Sequence, residues 1–384
     1  MPHGDSSNRL MKRTAERPDR PQMKPFFVIG TRPEIIKTAP VIREFEDKRG
    51  IRCFLLHTGQ HYSETMSNAF FEDMDLRAPD MNLNIGSGSH SEQTAKALIG
   101  IEKALLKEKP DIVIVQGDTN AVLSAAIAAV KLHIPVGHIE AGLRSYDQRM
   151  PEEHNRRLTD HASKFLFAPT ERSAEILRGE NVWGEIFVTG NTVIDALEMR
   201  LPAAMKAPLP PIAEKLGEFV LLTLHRAENV DDKATLQGLI RGLGEIGVDI
   251  VFPAHPRTVA RLKRFGMTKM VEETGKIHII EPVGYLRFLR MMKECMFVLT
   301  DSGGIQEEVT SPSINKRVFV LRTSTERPEA VESGHAMVVG VDPTKFPTII
   351  KREIERGLDA DRPCPYGRGD ASKRIADILT ERLP

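Results

Sequence analysis

Short runs of β-branched and aliphatic residues recur from Phe26 almost to the C-terminus, each separated from the next by a longer amphipathic stretch. Parallel strands produce this alternation, because they cannot be joined by a tight turn and need a crossover of a dozen or more residues, usually a helix. The fold class is α/β. In the first half the runs predict strands at 26–29, 51–56, 112–115, 135–139, 164–167 and 186–188; in the second half, at 219–224, 249–252, 276–280, 297–300, 318–321 and 337–339. Between them, LPAAMKAPLPP interrupts the alternation with prolines at 202, 208, 210 and 211, and the stretch 199–211 reads as a linker or an edge loop. A length of 384 residues suits two domains. Two doubly wound, Rossmann-like domains facing each other would bring the carboxyl ends of both strand sets to one cleft, where open α/β sheets bind ligands.

Composition removes several classes of function. Lys plus Arg equal Asp plus Glu at 53 each, so no overall positive field draws the chain to nucleic acid or an anionic membrane. The longest apolar stretches fall far short of the roughly 20 residues that span a bilayer. Cys53, Cys295 and Cys364 form no CxxC pair, which argues against a disulfide framework or a cysteine metal site and fits a reducing cytoplasm. Residues 1–22 are polar and proline-interrupted, with no apolar core of a secretory signal, and read as a disordered leader.

Candidate chemistry sits where runs end. After the first strand, Gly30-Thr31-Arg32-Pro33-Glu34 leads into a helix carrying Lys37; its turn amides and helix dipole would face the cleft beside Arg32 as an anion site, or the motif is only a well-capped helix. In Thr300-Asp301-Ser302-Gly303-Gly304-Ile305-Gln306-Glu307-Glu308, Gly303 and Gly304 let a ligand approach the backbone, Ser302 can donate to a phosphate, and Glu308 could accept from ribose hydroxyls. Acids follow buried-type strands at Asp118 and Glu140, with Glu152 and Glu153 further on; each is a proton-transfer candidate or, equally, a cap or a partner for Arg144 or Arg156. His225 and His255 are the strand-end polar residues of the second half. Gly242-Leu243-Gly244-Glu245-Ile246-Gly247 matches GxGxxG but precedes a strand, so it does not indicate NAD. His57 and His61 have i, i+4 spacing, but HTGQH contains a glycine and follows a strand, so no zinc pair is assigned; neither metal nor cofactor is expected.

Together GTRPEIIK, GQH, QGDTN, EAGLRS, PEEHNRR, GNTVIDAL, LHRAEN, TDSGGIQEE, TERPEAV and PYGRGDASKRI resemble, in order, the non-hydrolysing UDP-N-acetylglucosamine 2-epimerases. The resemblance implies a glycosyltransferase-B fold whose last helix crosses back, with domains at 23–192 plus 366–384 and at 193–365. It implies interconversion of UDP-GlcNAc and UDP-ManNAc through elimination of UDP, 2-acetamidoglucal, and readdition. Asp118, Glu140 and Glu152 match the family's catalytic acids. Arg32, Lys37, His225, Ser302, Gly303, Glu308 and Arg327 match positions that hold UDP or help it leave, with His225 near the diphosphate. Arg144, Arg156, His255 and Gly304 complete the expected substrate-binding set. Gln60 matches a residue that binds a second, activating UDP-GlcNAc, but Ser63 replaces a polar partner there. VTSPSINKR at 309–317 departs from the family's Gly-Lys-Pro turn. The expected setting is a cytoplasmic homodimer supplying surface polysaccharide synthesis. The alternatives are an epimerase of a UDP-2,3-diacetamido uronic acid, which needs a further basic group, a hydrolysing epimerase releasing ManNAc and UDP, and a glycosyltransferase of the same fold.

Overall fold

A computed structural model describes residues 23–59, 70–358 and 361–383. The predicted leader, Gln60, His61 and Ser63 lie outside these. Among the described residues the strands form two sheets. The first contains β1 (Pro25–Ile29), β2 (Phe54–His57), β3 (Met81–Asn82), β4 (Ile112–Gln116), β5 (Val136–Ile139), β6 (Phe165–Ala168) and β7 (Glu185–Val188), in the order β3-β2-β1-β4-β5-β6-β7. The second contains β8 (Val220–Thr223), β9 (Ile250–Pro253), β10 (Ile277–Ile280), β11 (Val298–Thr300), β12 (Val318–Val320) and β13 (Ala336–Val338), in the order β10-β9-β8-β11-β12-β13. Every pairing is parallel, with Phe27 opposite Leu55 on one side and Ile114 on the other. Both sheets are doubly wound and face a common cleft, the glycosyltransferase-B arrangement.

Central strands such as PFFVI and IVIVQ are wholly buried, because helices cover both faces of each sheet. The predicted runs all carry strands, with ends shifted by a few residues. The two-residue edge strand Met81–Asn82 was not foreseen, since it has no periodicity to show. The stretch read as a linker is half helix: Thr192–Ala204 runs through Met199 and tolerates Pro202 because it falls in the last turn, where one lost N–H bond breaks little of the ladder. This helix packs against Arg32–Arg49, Tyr285–Glu294 and Gly303–Glu308, and its apolar face is part of a core continuous from the first sheet to the second. The GxGxxG match is a packing device, with Gly242 against the Phe346 ring and Gly244 against Thr274, so that side chains there would collide.

The final helix, Ala371–Arg382, packs on Arg32–Arg49. Its N-cap residue Asp370 makes no side-chain cap bond; Asp195 supplies one from outside, accepting from the Ala371 N–H at 3.3 Å, the Ser372 N–H at 2.8 Å and the Ser372 hydroxyl at 2.6 Å. Burial pushes the Asp195 carboxyl up, and these donors work against that. Asp195→Ala is expected to destabilise the protein by about 2 kcal/mol. Urea unfolding measures the loss, and amide exchange should rise first over 371–382; unchanged exchange there would show that Asp195 does not hold the helix.

Candidate active site

A cleft of about 590 Å³ lies between the sheets, lined from both. Its first wall comes from the ends of β1, β4 and β5, its second from the ends of β8, β9, β10 and β11, so each sheet contributes its topological switch point.

At the end of β1, Thr31 is an extended N-cap and Glu34 turns back on it, its carboxylate accepting from the Gly30 N–H and, at 3.3 Å, from the Thr31 N–H. This corrects one expectation: the amides predicted to face an anion are already satisfied by a carboxylate of their own chain. Positive charge here comes from side chains. Arg32 sits 4.9 Å from the Phe70 ring centroid and 6.0 Å from that of Tyr285, and Lys37 follows on the same helix.

Glu140 follows β5 directly, with φ of 71°, a strained backbone for a residue with a side chain. Its carboxylate lies 2.5 Å from Lys37 Nζ and 3.6 Å from Arg327, and accepts from Gln116 Nε2. Lys37 also lies 3.1 Å from Glu307, which pairs with Arg327. Burial works against the Lys37 ammonium, but Glu140 and Glu307 outweigh it and leave its pKa raised.

Asp118 lines the cleft and pairs with Arg156, which is fixed in turn by Glu153 at 2.8 Å. Both arginine and Glu153 come from the Pro151–Ala162 helix, so the PEEHNRR motif buttresses Asp118. Behind it, His138 bridges the Gly117 carbonyl (2.8 Å) and Asp160 (2.7 Å). Gly142, at φ 86°, lies so close to the Ser173 carbonyl that no side chain would fit.

On the second wall, Asp301 is buried and aims His225: it accepts from the His225 N–H at 3.0 Å and the Arg226 N–H at 2.9 Å, and lies 3.1 Å from His225 Nδ1. Burial would raise the Asp301 carboxyl, but His225 and these amides hold it low. His255 caps the next helix by accepting the Arg257 N–H on Nδ1 at 3.2 Å. Burial lowers the His255 pKa, and His225 and Arg257 lower it further. Ser302 begins the short helix Gly303–Glu308. Burial pushes Glu308 up to about 7, with Arg32 and Lys37 pulling the other way. Two buried oxygens, Glu308 Oε2 and Tyr285 Oη, belong to cleft-lining residues and have no hydrogen-bond partner among the described residues.

Of the residues singled out from sequence, Arg32, Lys37, Asp118, Glu140, His225, His255, Ser302, Gly304, Glu308 and Arg327 line this cleft. Gly303 lies just behind, facing the Arg327 guanidinium. Arg156 reaches the cleft only through Asp118. Glu152 is half-buried and outside the lining. Arg144 is buried away from it, 2.8 Å from Asp160 and 2.6 Å from Glu180, so its charge is spent on structure. Sequence reasoning passed over Glu34, Gln116, Tyr285, Asp301 and Glu307. Among the described residues no group of three or more His, Cys, Asp or Glu is placed to hold a metal, and no helix is long and apolar enough to cross a membrane.

Fold and cleft together define a two-sheet α/β protein of glycosyltransferase-B type with its ligand pocket between the sheets. The family model for UDP-N-acetylglucosamine 2-epimerase matches residues 43–380, and the chain belongs to that family of isomerases. It is 48% identical to the UDP-N-acetylglucosamine 2-epimerase of Methanocaldococcus jannaschii over 368 residues, 93% of this chain and 99% of that protein. The crystal structure of the M. jannaschii enzyme in complex with UDP-GlcNAc and UDP superposes with a TM-score of 0.83, covering 94% of this chain and all of that one. A UDP-2,3-diacetamido-2,3-dideoxy-D-glucuronate 2-epimerase of Pseudomonas aeruginosa is 38% identical over 365 residues, 94% of this chain and 100% of that protein.

Burial holds the Glu34 carboxyl up to about 7, against the bonds from Thr119, Gly30 and Thr31. Because the folded state binds this proton more tightly than the unfolded chain, Glu34 favours folding at low pH, and that advantage is lost as pH rises from about 4.5 to about 7. Glu34→Gln removes this dependence, so its stability relative to the wild type should rise by about 3 kcal/mol across that window. Urea midpoints at pH 5 and 8 test this; an equal difference at both would mean that Glu34 titrates normally.

Proposed function

We propose that the protein interconverts UDP-GlcNAc and UDP-ManNAc by eliminating UDP and adding it back. One observation carries the reading: two carboxylates, Asp118 and Glu140, share a single cleft with Arg32, His225 and the Ser302 helix start. Likeness to a relative crystallised with UDP-GlcNAc and UDP supports it.

The sugar C2–H has no adjacent carbonyl, so direct proton removal is slow. Breaking the C1–O bond to UDP builds oxocarbenium character at C1 and acidifies that proton. A carboxylate then takes the C2 proton, the C–H electron pair forms the C1=C2 bond of 2-acetamidoglucal, and UDP keeps the C1–O pair. In reverse, a second acid delivers a proton to the opposite face of C2 as a diphosphate oxygen rebonds to C1. Two faces need two proton-transfer groups; Asp118 and Glu140 fill these roles, each typically worth about 10²–10⁴-fold. Glu152 joins them on its motif alone. Arg32, His225 and Ser302 receive the diphosphate charge, and Glu308, with an oxygen to spare, accepts from ribose hydroxyls.

A diacetamido uronate is the second reading, favoured by the Pseudomonas relative. Its extra carboxylate needs a cation that the diphosphate does not use. Lys37 and Arg327 are already matched by Glu140 and Glu307, which favours the uncharged sugar. The same reading divides the chain at 23–192 plus 366–384 and 193–365, with the packing of the last helix in support. It sets the enzyme as a homodimer in the cytoplasm, serving surface polysaccharide synthesis; three free cysteines fit a reducing compartment.

Incubation with UDP-GlcNAc in D₂O, followed by proton NMR, should give UDP-ManNAc deuterated at C2. A product with full protium at C2 would sink the elimination mechanism. Asp118→Asn and Glu140→Gln should each lower kcat by about 10²-fold or more, with UDP affinity nearly retained by calorimetry. Near-full turnover in either variant would make that acid structural.

A further inference from the structure

Glu307 lies immediately before Glu308 on the short helix after β11, with its side chain wholly buried. It is not among the residues that line the cleft, yet both of its partners are. Lys37 bridges Glu140 at 2.5 Å and Glu307 at 3.1 Å, while Arg327 pairs with Glu307 and stands 3.6 Å from Glu140. Two cations and two carboxylates thus close a ring. Lys37 and Glu140 come from the first sheet's side, Glu307 and Arg327 from the second's, so the ring ties the two walls together where proton transfer is proposed. Around it, Gln116 donates to Glu140, Glu308 and Tyr366 face Glu307, and Glu326 and Tyr366 face Arg327.

We propose that Glu307 is a positioning residue for epimerisation: as the fourth charge of this ring it keeps the ring neutral, so that Glu140 is not left as the one ring carboxylate answering both cations and Lys37 and Arg327 do not over-bind the diphosphate. The proposal rests on the proton-transfer role given to Glu140 above. With Glu307 in place, two positive and two negative charges balance. Without its charge, Glu140 is the one anion left in the ring against two buried cations, with only Glu326 beside Arg327 outside it, and the added attraction favours its ionised form and weakens it as a base. The same uncompensated charge attracts a diphosphate more strongly. An enzyme that must let UDP leave C1 and return gains nothing from a tighter grip on UDP in the ground state. The directions already present agree: burial would raise the Glu307 carboxyl, but Arg327 and Lys37 hold it low, so it carries its charge.

Glu307→Gln, close to isosteric, separates this role from a packing role. Its UDP Kd by calorimetry should fall about tenfold, kcat should fall about tenfold or more, and the acidic limb of the kcat–pH profile should move down by about one unit. A residue that only packs would weaken UDP binding and leave the limb in place, and either result overturns the proposal. If the amide variant does not fold, Glu307→Asp carries the test: withdrawing the carboxylate by one methylene loosens both pairs, so Kd and limb should move in the same directions by about half as much. Shifts that are absent or reversed overturn it. Glu140→Gln, assayed in parallel, tells the two readings apart. Near-full turnover there defeats the role of Glu140, whereas the UDP affinity of Glu307→Gln reports the ring's charge whether or not Glu140 is catalytic.

Discussion

Covering both faces of a parallel sheet with helices leaves polar side chains almost nowhere to go except the strand ends. The rest of this structure follows from that restriction. Pro25–Ile29, Ile112–Gln116 and Val220–Thr223 are apolar along nearly their whole length, and the residues that could do chemistry begin where those runs stop: Arg32, Asp118, His225. Each sheet reverses its winding between its first strand and the strand after its crossover, β1 beside β4 and β8 beside β11, and the helices part there to leave a crevice. The Thr192–Ala204 helix, packed into the core of both halves, holds the two crevices face to face.

Concentrating charge in such a place is expensive unless every charge is answered, since an unpaired buried ion costs several kcal/mol. Pairing is nearly complete on the first wall. Asp118 has Arg156, Glu140 has Lys37, and Asp160 is shared by His138 and Arg144. The exceptions are informative. Arg32 takes part in no ion pair among the described residues, and Glu308 and Tyr285 keep unpartnered oxygens at the cleft. A site with a spare guanidinium and spare acceptors is matched to a ligand bearing both an anion and hydroxyls, as a nucleotide sugar does.

Strand positions were legible because burial on both faces writes itself into sequence as unbroken β-branched runs. Met81–Asn82 was not, because two residues at a sheet edge carry no pattern. The prolines of 199–211 suggested a linker, yet Pro202 costs a helix little so near its end. Strand-end acids were legible as types: Asp118 and Glu140 stood out as carboxylates after apolar runs, and the pairing of Asp118 with Arg156 was among the readings offered. What could not be read was which distant residue completes a pair. Lys37 and Glu140 are 103 positions apart and meet only through the strand order of the first sheet, and Lys37 and Glu307 are 270 apart and meet only where the two sheets dock. Glu307 was overlooked beside Glu308 for the same reason: adjacent acids in QEE look alike until one faces the cleft and the other the ring behind it.

The two halves share a winding but not a way of treating their helix starts. After β1, the Glu34 carboxylate occupies the Gly30 and Thr31 amides, so that end of the fold is closed to a second anion. After β11, among the described residues no carboxylate turns back on the helix start; the Ser302 N–H donates to the Thr300 hydroxyl at 2.9 Å, Ser302 makes no side-chain cap bond, and Glu308 lies at the far end of its helix, which leaves the Gly303 and Gly304 amides. Amides already donating to one acceptor are not free for another, so on the proposed function the diphosphate belongs against the second half, with Arg32 reaching across to it. On the same reading the first half is left with the sugar, which carries no formal charge, and with the two carboxylates proposed for proton transfer, Asp118 and Glu140. On that proposal the division of labour between the halves follows from one carboxyl group, Glu34, folded back on its own turn.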